Sequence, residues 1–561
     1  MPIRKALFIL ITLIATAAFA DLDKTVVKTP TGAKIDEYMS RLERLGYSGA
    51  LLVAKDGDVI VHKAYGWRDA EAKLPYTLDT PSTVGSITKQ FTAAGILALE
   101  EEGKLKTTDL MSKYFTGVPE DKQGITLHML LTHSAGFPGA IGDDYEQTGR
   151  EEFIKRAMGR KLLFTPGSAY EYSNVGYSLL GAIIEIVTGK PYERYLHDRL
   201  FMRAGMEHTG YVIPKWEKSK LAHGVLDGEP WGTNLDRPWA PDGPYWHLRG
   251  NGGILSTPAD MYRWSLALDT DKVLSASSRK KLFTPYVKEG PNANSSYAYG
   301  WAVFPLPNGH TLIAHNGGNG IFAADFRRYP DDHVTYFITS NISDKPSIAA
   351  SRYVGRMATG IEVPMPPKVI TLPAAELHKL EGTYDGVKVT ATKEGALVLT
   401  PESEAAFVRL SPPANGRERG IGIVTKRSQP IVDAMVKNDF KPLQEAFGPD
   451  RSIEEITSHQ AEMRKELEAK RGALQSATVV GTRTQREMLA TTVRLNFEHG
   501  TAYLIMMWDG PEQLAGMRTA ANMPGSVYYP VSATELASFD FPSGESKTIR
   551  FVDGKLLNAE R

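Results

Sequence analysis

The chain has no cysteine among its 561 residues. Disulfides, thiol nucleophiles and a lipid-modified N-terminal cysteine are therefore excluded. It also lacks a charge bias, with 65 Lys and Arg against 65 Asp and Glu. Nothing in that balance calls for nucleic acid or an acidic surface as partner. Beyond the first twenty residues there is no apolar run long enough to cross a bilayer. The 13 histidines are scattered, without a His-Glu-x-x-His spacing, so no metal is expected. No glycine-rich phosphate cradle follows a strand, and no cofactor is expected either.

The first segment that is present is a leader. Arg4 and Lys5 precede an apolar run, Ala6 to Ala17, and Ala18-Phe19-Ala20 forms a small-x-small cleavage site before Asp21. Residues 1–20 therefore read as a cleaved signal peptide, and the protein as bacterial and periplasmic or secreted, with no stable membrane span after cleavage. Loss of Arg4 and Lys5 takes the formal net charge from 0 to −2.

Residues 21–360 read as one α+β domain. Ala33 to Leu45 has helical spacing closed by Gly46. Ser48 to Val53 and Val59 to Gly66 read as a strand pair across Lys55-Asp56-Gly57-Asp58. A helical middle follows, including Thr88 to Glu102, Glu151 to Met158 and the apolar Gly176 to Thr188. Four strands then come as a meander: Tyr297 to Phe304, His310 to Ala314, Phe322 to Arg328 and His333 to Ser340. Strands at both ends around a helical middle predict an antiparallel sheet containing both chain ends. Between them, residues 229–248 hold Trp231, Trp239, Tyr245 and Trp246 among Pro and Gly. They read either as a wall over a pocket or as a packed structural loop. Gly250-Asn251-Gly252-Gly253 then lets backbone come close to something.

Residues 361–373 carry four prolines and read as a linker. The C-terminal region, 374–561, has a different character. Leu380 to Leu399 alternates like strands. Ile431 to Phe447 and Ser452 to Lys470 are amphipathic helices, and Met488 to Glu498 and Thr501 to Trp508 form a hairpin. Helices on a curved sheet resemble the cystatin-like or NTF2-like fold. That unit, about 415–525, is expected as an insertion in a small β-barrel closed by Phe539 to Phe541 and Thr548 to Val552. The region carries no catalytic signature; its size and stiff linker point to gating or extending a site, or to association. The oligomeric state is not readable.

Three segments carry chemistry. In Thr83-Val84-Gly85-Ser86-Ile87-Thr88-Lys89, Ser86 and Lys89 stand three residues apart at the start of a helix, within side-chain reach. A hydroxyl is a poor nucleophile until a base takes its proton. An amine with a lowered pKa can do so, and the helix N-terminus favours an oxyanion. Ser277 to Lys280 and Ser278 to Lys281 repeat the spacing in a basic, exposed-looking stretch. The second segment is Tyr172-Ser173-Asn174. A phenol beside a lysine ammonium is expected to have a depressed pKa and to relay a proton, while Asn174 orients Lys89 and holds a substrate carbonyl. The third is His315-Asn316-Gly317-Gly318, at a strand end. Gly317 and Gly318 let substrate lie along the strand, the Gly318 N–H joins that of Ser86 as an oxyanion hole, and His315 faces the pocket to bind substrate.

Together, in this order, the three segments resemble the serine β-lactamase and penicillin-binding protein superfamily, above all its class C-like β-lactamase, esterase and D-peptidase branch. The resemblance covers roughly Ile35 to Thr359, with Leu130 to Gly136 and Tyr299-Gly300-Trp301 as framework. It implies a β-lactamase/transpeptidase-like fold, acylation of Ser86, Lys89 and Tyr172 as proton carriers, and hydrolysis of the acyl-enzyme by water. Either Lys89 or Tyr172 fits as the acylation base. Typical β-lactamases carry Lys where this chain has His315, which is mostly neutral near pH 7. The resemblance therefore favours a small-molecule or peptide substrate, namely esters, amides or D-residue peptides. β-Lactam hydrolysis and a non-hydrolytic penicillin-binding or sensory role are the alternatives.

Overall fold

A computed structural model describes residues 22–226, 229–342, 347–393, 395–410, 418–448, 452–485, 488–520, 523, 525–540 and 544–558. The signal peptide expected at 1–20 lies outside the described residues. The chain forms two compact units that divide between Met365 and Pro366.

The N-terminal unit is built on a nine-stranded antiparallel sheet. Its order is 26–27, 58–65, 49–55, 334–340, 323–329, 311–318, 302–305, 296–297 and 287–288. The first hairpin joins the last strand directly, with Leu51 opposite Ile338 and Val53 opposite Tyr336. The sheet thus contains both chain ends of the unit, as the sequence pattern predicts. Alternation along these strands is weak because both faces are covered, and Gly49–Lys55 is buried almost throughout. The main core lies among the middle helices and the adjoining strands. It includes Phe91, Leu97, Leu179, Ile183, Trp264 and Trp301.

The helix after Ser86 runs Thr88–Glu101 and follows a single 3₁₀ turn, Gly85–Ile87. Twelve of its fourteen residues are buried. It is therefore a central helix, apolar around most of its circumference rather than along one stripe. The apolar helix Asn174–Thr188 begins at an N-cap, Ser173, whose Oγ accepts the Gly176 N–H at 3.3 Å. That cap sets where Tyr172 and Asn174 enter the site. Thr257 caps Pro258–Leu268 in the same way, with proline in the first turn.

Two strand expectations change. Tyr297 to Phe304 is not one strand: Ser296–Tyr297 and Ala302–Pro305 are separated by a turn at Gly300, whose φ is +75°. A Cβ there would stand 2.8 Å from the Lys89 carbonyl oxygen and 2.9 Å from the Gln90 Cα, so the turn is pressed against the central helix. The strand expected to stop at Ala314 continues to Gly318. The histidine-glycine segment is thus in-strand, pairing with Ala323–Phe326. On the other side Ala302–Pro305 reaches only Thr311–Ala314. Among the described residues the opposite edge of 315–318 carries no strand.

The C-terminal unit holds a seven-stranded sheet in the order 382–384, 387–391, 397–401, 526–530, 535–540, 545–552 and 555–558. A separate four-stranded antiparallel sheet, Leu474 to Ala520, and the helices Glu418–Val436, Lys441–Phe447 and Ile453–Arg471 stand between its third and fourth strands in the chain. The early and late strands share one sheet, but the strand pairing with Leu397–Pro401 is Ser526–Pro530 rather than the two expected final strands. Each sheet has its own apolar core, one around Val424, Val493 and Trp508, the other around Val389, Leu399 and Ile549. The helix expected across Ile431 to Phe447 is broken at Asn438, where φ is +60°. Leu443 and Phe447 then enter the core from a second, shorter helix.

One contact in the N-terminal unit locks the site segments together. A Cβ on Gly317 would fall 2.0 Å from the Val84 carbonyl oxygen and 2.7 Å from the Ser86 nitrogen. A Cβ on Gly85, whose φ is +52°, would fall 2.3 Å from the Gly318 nitrogen. Only glycine allows this approach of strand to turn. Gly317→Ala should lower stability by about 1–3 kcal/mol or more, read by chemical denaturation. Gly124→Ala, with nothing within 4 Å of its Cβ, is the control and should change little.

Candidate active site

Lys89 is at the centre, 0 % exposed. Its Nζ lies 3.0 Å from Ser86 Oγ, 2.8 Å from Asn174 Oδ1 and 2.9 Å from the Asn251 carbonyl oxygen. Burial holds the amine well below its ordinary pKa, with the charge of Asp144 acting weakly in the other direction. Two of its three neighbours are carbonyl oxygens, which can only accept. A neutral amine has two N–H bonds and one lone pair. With both N–H groups given to the carbonyls, the lone pair is left for the Ser86 hydroxyl, the one neighbour able to donate.

Tyr172 lies beside them, its ring centroid 4.8 Å from Lys89 Nζ. The phenol expected to be acidified is instead pushed above its ordinary value. Burial outweighs the opposing hydrogen bond with Ser86. The lysine charge that would have acidified it is itself disfavoured by burial. Tyr172 is accordingly a protonated phenol at neutral pH.

Asn174 meets its expected position against Lys89 and also lines the cleft that opens over Ser86. That cleft, about 340 Å³ counting its open mouth, is bordered as well by Gly318, Asn319, Tyr145 and Gly252. His315 differs from expectation. Its Nδ1 stands 2.6 Å from the Asn316 carbonyl, and its Nε2 2.9 Å from the Tyr297 hydroxyl. Because the carbonyl only accepts, Nδ1 carries the proton and Nε2 accepts from Tyr297. Both nitrogens are thereby occupied by protein, and the residue is 8 % exposed. Burial pushes its pKa down to about 3. Gly317 is spent on the close packing described above, and Gly318 borders the cleft. Ser277 and Ser278, the other Ser-x-x-Lys serines, sit on the helix Ala276–Phe283, where Lys281 pairs with Glu100 at 2.8 Å.

Several residues of the site carry no motif. Asn251, within the glycine-flanked turn, supplies the second carbonyl for Lys89. His133, with φ +58°, accepts the Ser173 N–H on Nδ1 at 3.0 Å and packs against Tyr172 with centroids 4.3 Å apart. It fixes the phenol from behind. The aromatic stretch serves both readings. Leu248 and Asn234 line the cleft, while Trp231 packs on Phe322 and Trp239 on Tyr211. Among the described residues no cluster of three or more His, Asp or Glu is placed to hold a metal, and no helix is long and apolar enough to cross a membrane.

The depressed His315 pKa has a sign that can be checked. Its unfolded value is near 6.5 and its folded value about 3, so the unfolded chain binds the extra proton first. The contribution is intact above about pH 6.5 and is lost as pH falls toward 3. His315→Gln should therefore flatten the decline in melting temperature between pH 6.5 and 4, measured by calorimetry across that range.

The β-lactamase family's sequence profile matches residues 33–359, more than half of the chain. A penicillin-binding protein of Bacillus subtilis (strain 168) is 26% identical over 411 residues, covering 65% of this chain and 88% of that protein. Among solved structures, the octameric penicillin-binding protein homologue from Pyrococcus abyssi superposes with TM-score 0.53 at 22% identity, over 93% of this chain and 97% of that one. The D-amino acid amidase from Ochrobactrum anthropi SV3 gives TM-score 0.50 at 21% identity, over 59% of this chain and 97% of that one. With the profile spanning the Ser86, Tyr172 and His315 segments and the fold shared, the chain belongs to the β-lactamase family of serine hydrolases.

Proposed function

We propose that the protein is an exported hydrolase that cleaves esters, amides or D-residue peptides through an acyl-enzyme on Ser86. The observation that carries the reading is the Lys89 amine, buried, held by two carbonyls and 3.0 Å from Ser86 Oγ. Neutral Lys89 takes the Ser86 proton as Oγ attacks the substrate carbonyl. The Ser86 and Gly318 N–H groups receive the developing oxyanion. Tyr172, protonated, delivers a proton to the leaving group and recovers one from Lys89. Water then attacks the acyl carbon, its proton returning through the same pair, and the acid leaves with Ser86 restored. This reading prefers Lys89 over Tyr172 as acylation base, because burial lowers the affinity of the amine for a proton and raises that of the phenolate. His315 acts through Tyr297 as a positioning residue. Its neutrality supports esters and amides over a β-lactam carboxylate, which would want a fixed cation at that strand.

Ser86→Ala should reduce hydrolysis of p-nitrophenyl esters by on the order of 10³-fold or more and remove a fluorophosphonate adduct seen by intact mass. Unchanged turnover by the folded variant would end the reading. A stable Ser86 adduct without turnover of any ester or amide would favour the penicillin-binding or sensory alternative. Because Lys89 must be neutral to act, kcat/KM should rise with pH through the lysine's depressed pKa. Tyr172→Phe should slow amides more than activated esters, whose leaving groups need no proton.

A further inference from the structure

Lys89 receives one of its two carbonyl partners from a backbone turn, and that turn is gripped by a residue outside all three catalytic segments. Tyr211 is 0 % exposed, and its hydroxyl is the hub of the grip. It donates to the Gly252 carbonyl at 2.8 Å and accepts the Gly250 N–H at 3.1 Å. Asn251, whose carbonyl accepts from Lys89 Nζ at 2.9 Å, stands between them. One phenol oxygen thus fixes the peptide on each side of Asn251. Other contacts reach the turn from one flank. Thr92 Oγ1 donates to the Gly250 carbonyl at 2.6 Å, and Ser178 Oγ to the Arg249 carbonyl at 2.8 Å. The Asn251 side chain is held separately, its Nδ2 donating to Ser178 Oγ and to the His247 carbonyl, each at 2.8 Å.

Tyr211 has an anchor of its own. Glu193 is 4 % exposed, and its Oε1 accepts the N–H groups of Tyr211, Val212 and Ile213 at 2.6, 3.0 and 3.0 Å. A carboxylate kept from water is costly, and converging N–H donors offset that cost. Gly210 leaves room for this approach, since a Cβ there would fall 2.4 Å from Glu193 Oε1. Tyr192, the residue before Glu193 on the helix Tyr192–Leu196, supports the turn by a second route. Its hydroxyl lies 2.6 Å from Thr92 Oγ1, and its ring packs on Tyr211 with centroids 5.9 Å apart. Because Thr92 gives its proton to Gly250, Tyr192 is the donor of that pair. Neither Tyr211 nor Glu193 borders the cleft over Ser86, so holding substrate does not account for them.

We propose that Tyr211 is the positioning residue that seats the Asn251 carbonyl on Lys89, and that Glu193 seats Tyr211. The inference rests on the reading of Lys89 as the base for Ser86 and adds the groups that keep its surroundings closed. The ionisable groups facing Lys89 come from other elements. They are Tyr172 and Tyr177, with ring centroids at 4.8 and 5.7 Å, then His133, His315 and Asp144. Those facing Tyr211 are Glu193, Tyr192 and Arg249, the last paired with Asp242 at 2.7 Å. Tyr211→Phe removes none of these groups. It frees the turn to lift, and water replaces the Asn251 carbonyl at Nζ. Burial is the first cause of the amine's lowered proton affinity, so water raises that affinity toward its ordinary value.

The test compares full-length wild type, Tyr211→Phe, Glu193→Gln and Tyr336→Phe. Tyr336 is the control, a second 0 % exposed tyrosine, on the strand 334–340, whose hydroxyl donates to the Ser351 carbonyl at 2.8 Å. Two rates are followed across pH: kcat/KM for p-nitrophenyl acetate, and fluorophosphonate labelling of Ser86 read by intact mass. Tyr211→Phe should move the rising limb of both profiles up by about one pH unit, lowering rates on the limb about tenfold and keeping the plateau above it. Glu193→Gln should move the limb in the same direction. Tyr336→Phe should lower the melting temperature and leave the limb in place. A limb unmoved by Tyr211→Phe, or moved equally by Tyr336→Phe, overturns the assignment. Should Tyr211→Phe not fold, Glu193→Gln decides by the same two outcomes. Labelling with a shifted limb but no turnover removes the hydrolase reading alone; turnover with an unmoved limb removes the positioning role alone. A wild type that neither labels nor turns over overturns both.

Discussion

An amine sealed from water must either find a counter-ion or hold its proton less tightly, and burial puts Lys89 in the second position. Among the described residues no carboxylate touches it; its companions are two carbonyls and a hydroxyl. A charged ammonium there would forfeit most of its hydration for three neutral contacts. The surrounding architecture follows from keeping that arrangement dry. The central helix is buried nearly all round, the strand 311–318 is pressed onto the Ser86 turn, and the Asn251 turn closes from the opposite side.

Neutrality then spreads through the site. Tyr172 keeps its proton, His315 and His133 stay unprotonated, and each is set by burial before any neighbouring charge. The proton affinities of Lys89 and Tyr172 are thereby moved apart, the amine's downward and the phenolate's upward. Asp144, half-buried, lines the cleft, and burial and then the neighbouring Asp143 raise its pKa.

The parts of the fold that sequence revealed were those with local grammar. Caps, hairpin turns and long periodic helices were legible, as was a sheet holding both chain ends. So were Ser86, Lys89, Tyr172 and Asn174, because type and spacing identify them together. What escaped was set by long-range packing. Gly300 interrupts a strand because it meets Lys89 and Gln90, more than two hundred residues earlier in the chain. The acidity of Tyr172 and the partners of His315 depend on burial, which residue identity alone does not give. Asn251 offers only its backbone to Lys89, so no side-chain pattern marks it. In the C-terminal unit, Asn438 breaks an apparently continuous amphipathic run because two helices, rather than one, fit across the sheet.

The hairpin 49–65 has as its sheet neighbour a strand from the far end of the unit, 334–340. Neither can complete its hydrogen bonding while the ribosome still holds the residues between them. Pairings of such long sequence separation are also slow to form. A nascent chain of this design stays open until nearly the whole unit has been made. For a protein proposed to leave the cytoplasm, that delay is useful: a translocation channel accepts threadable polypeptide, and the serine becomes reactive only after passage.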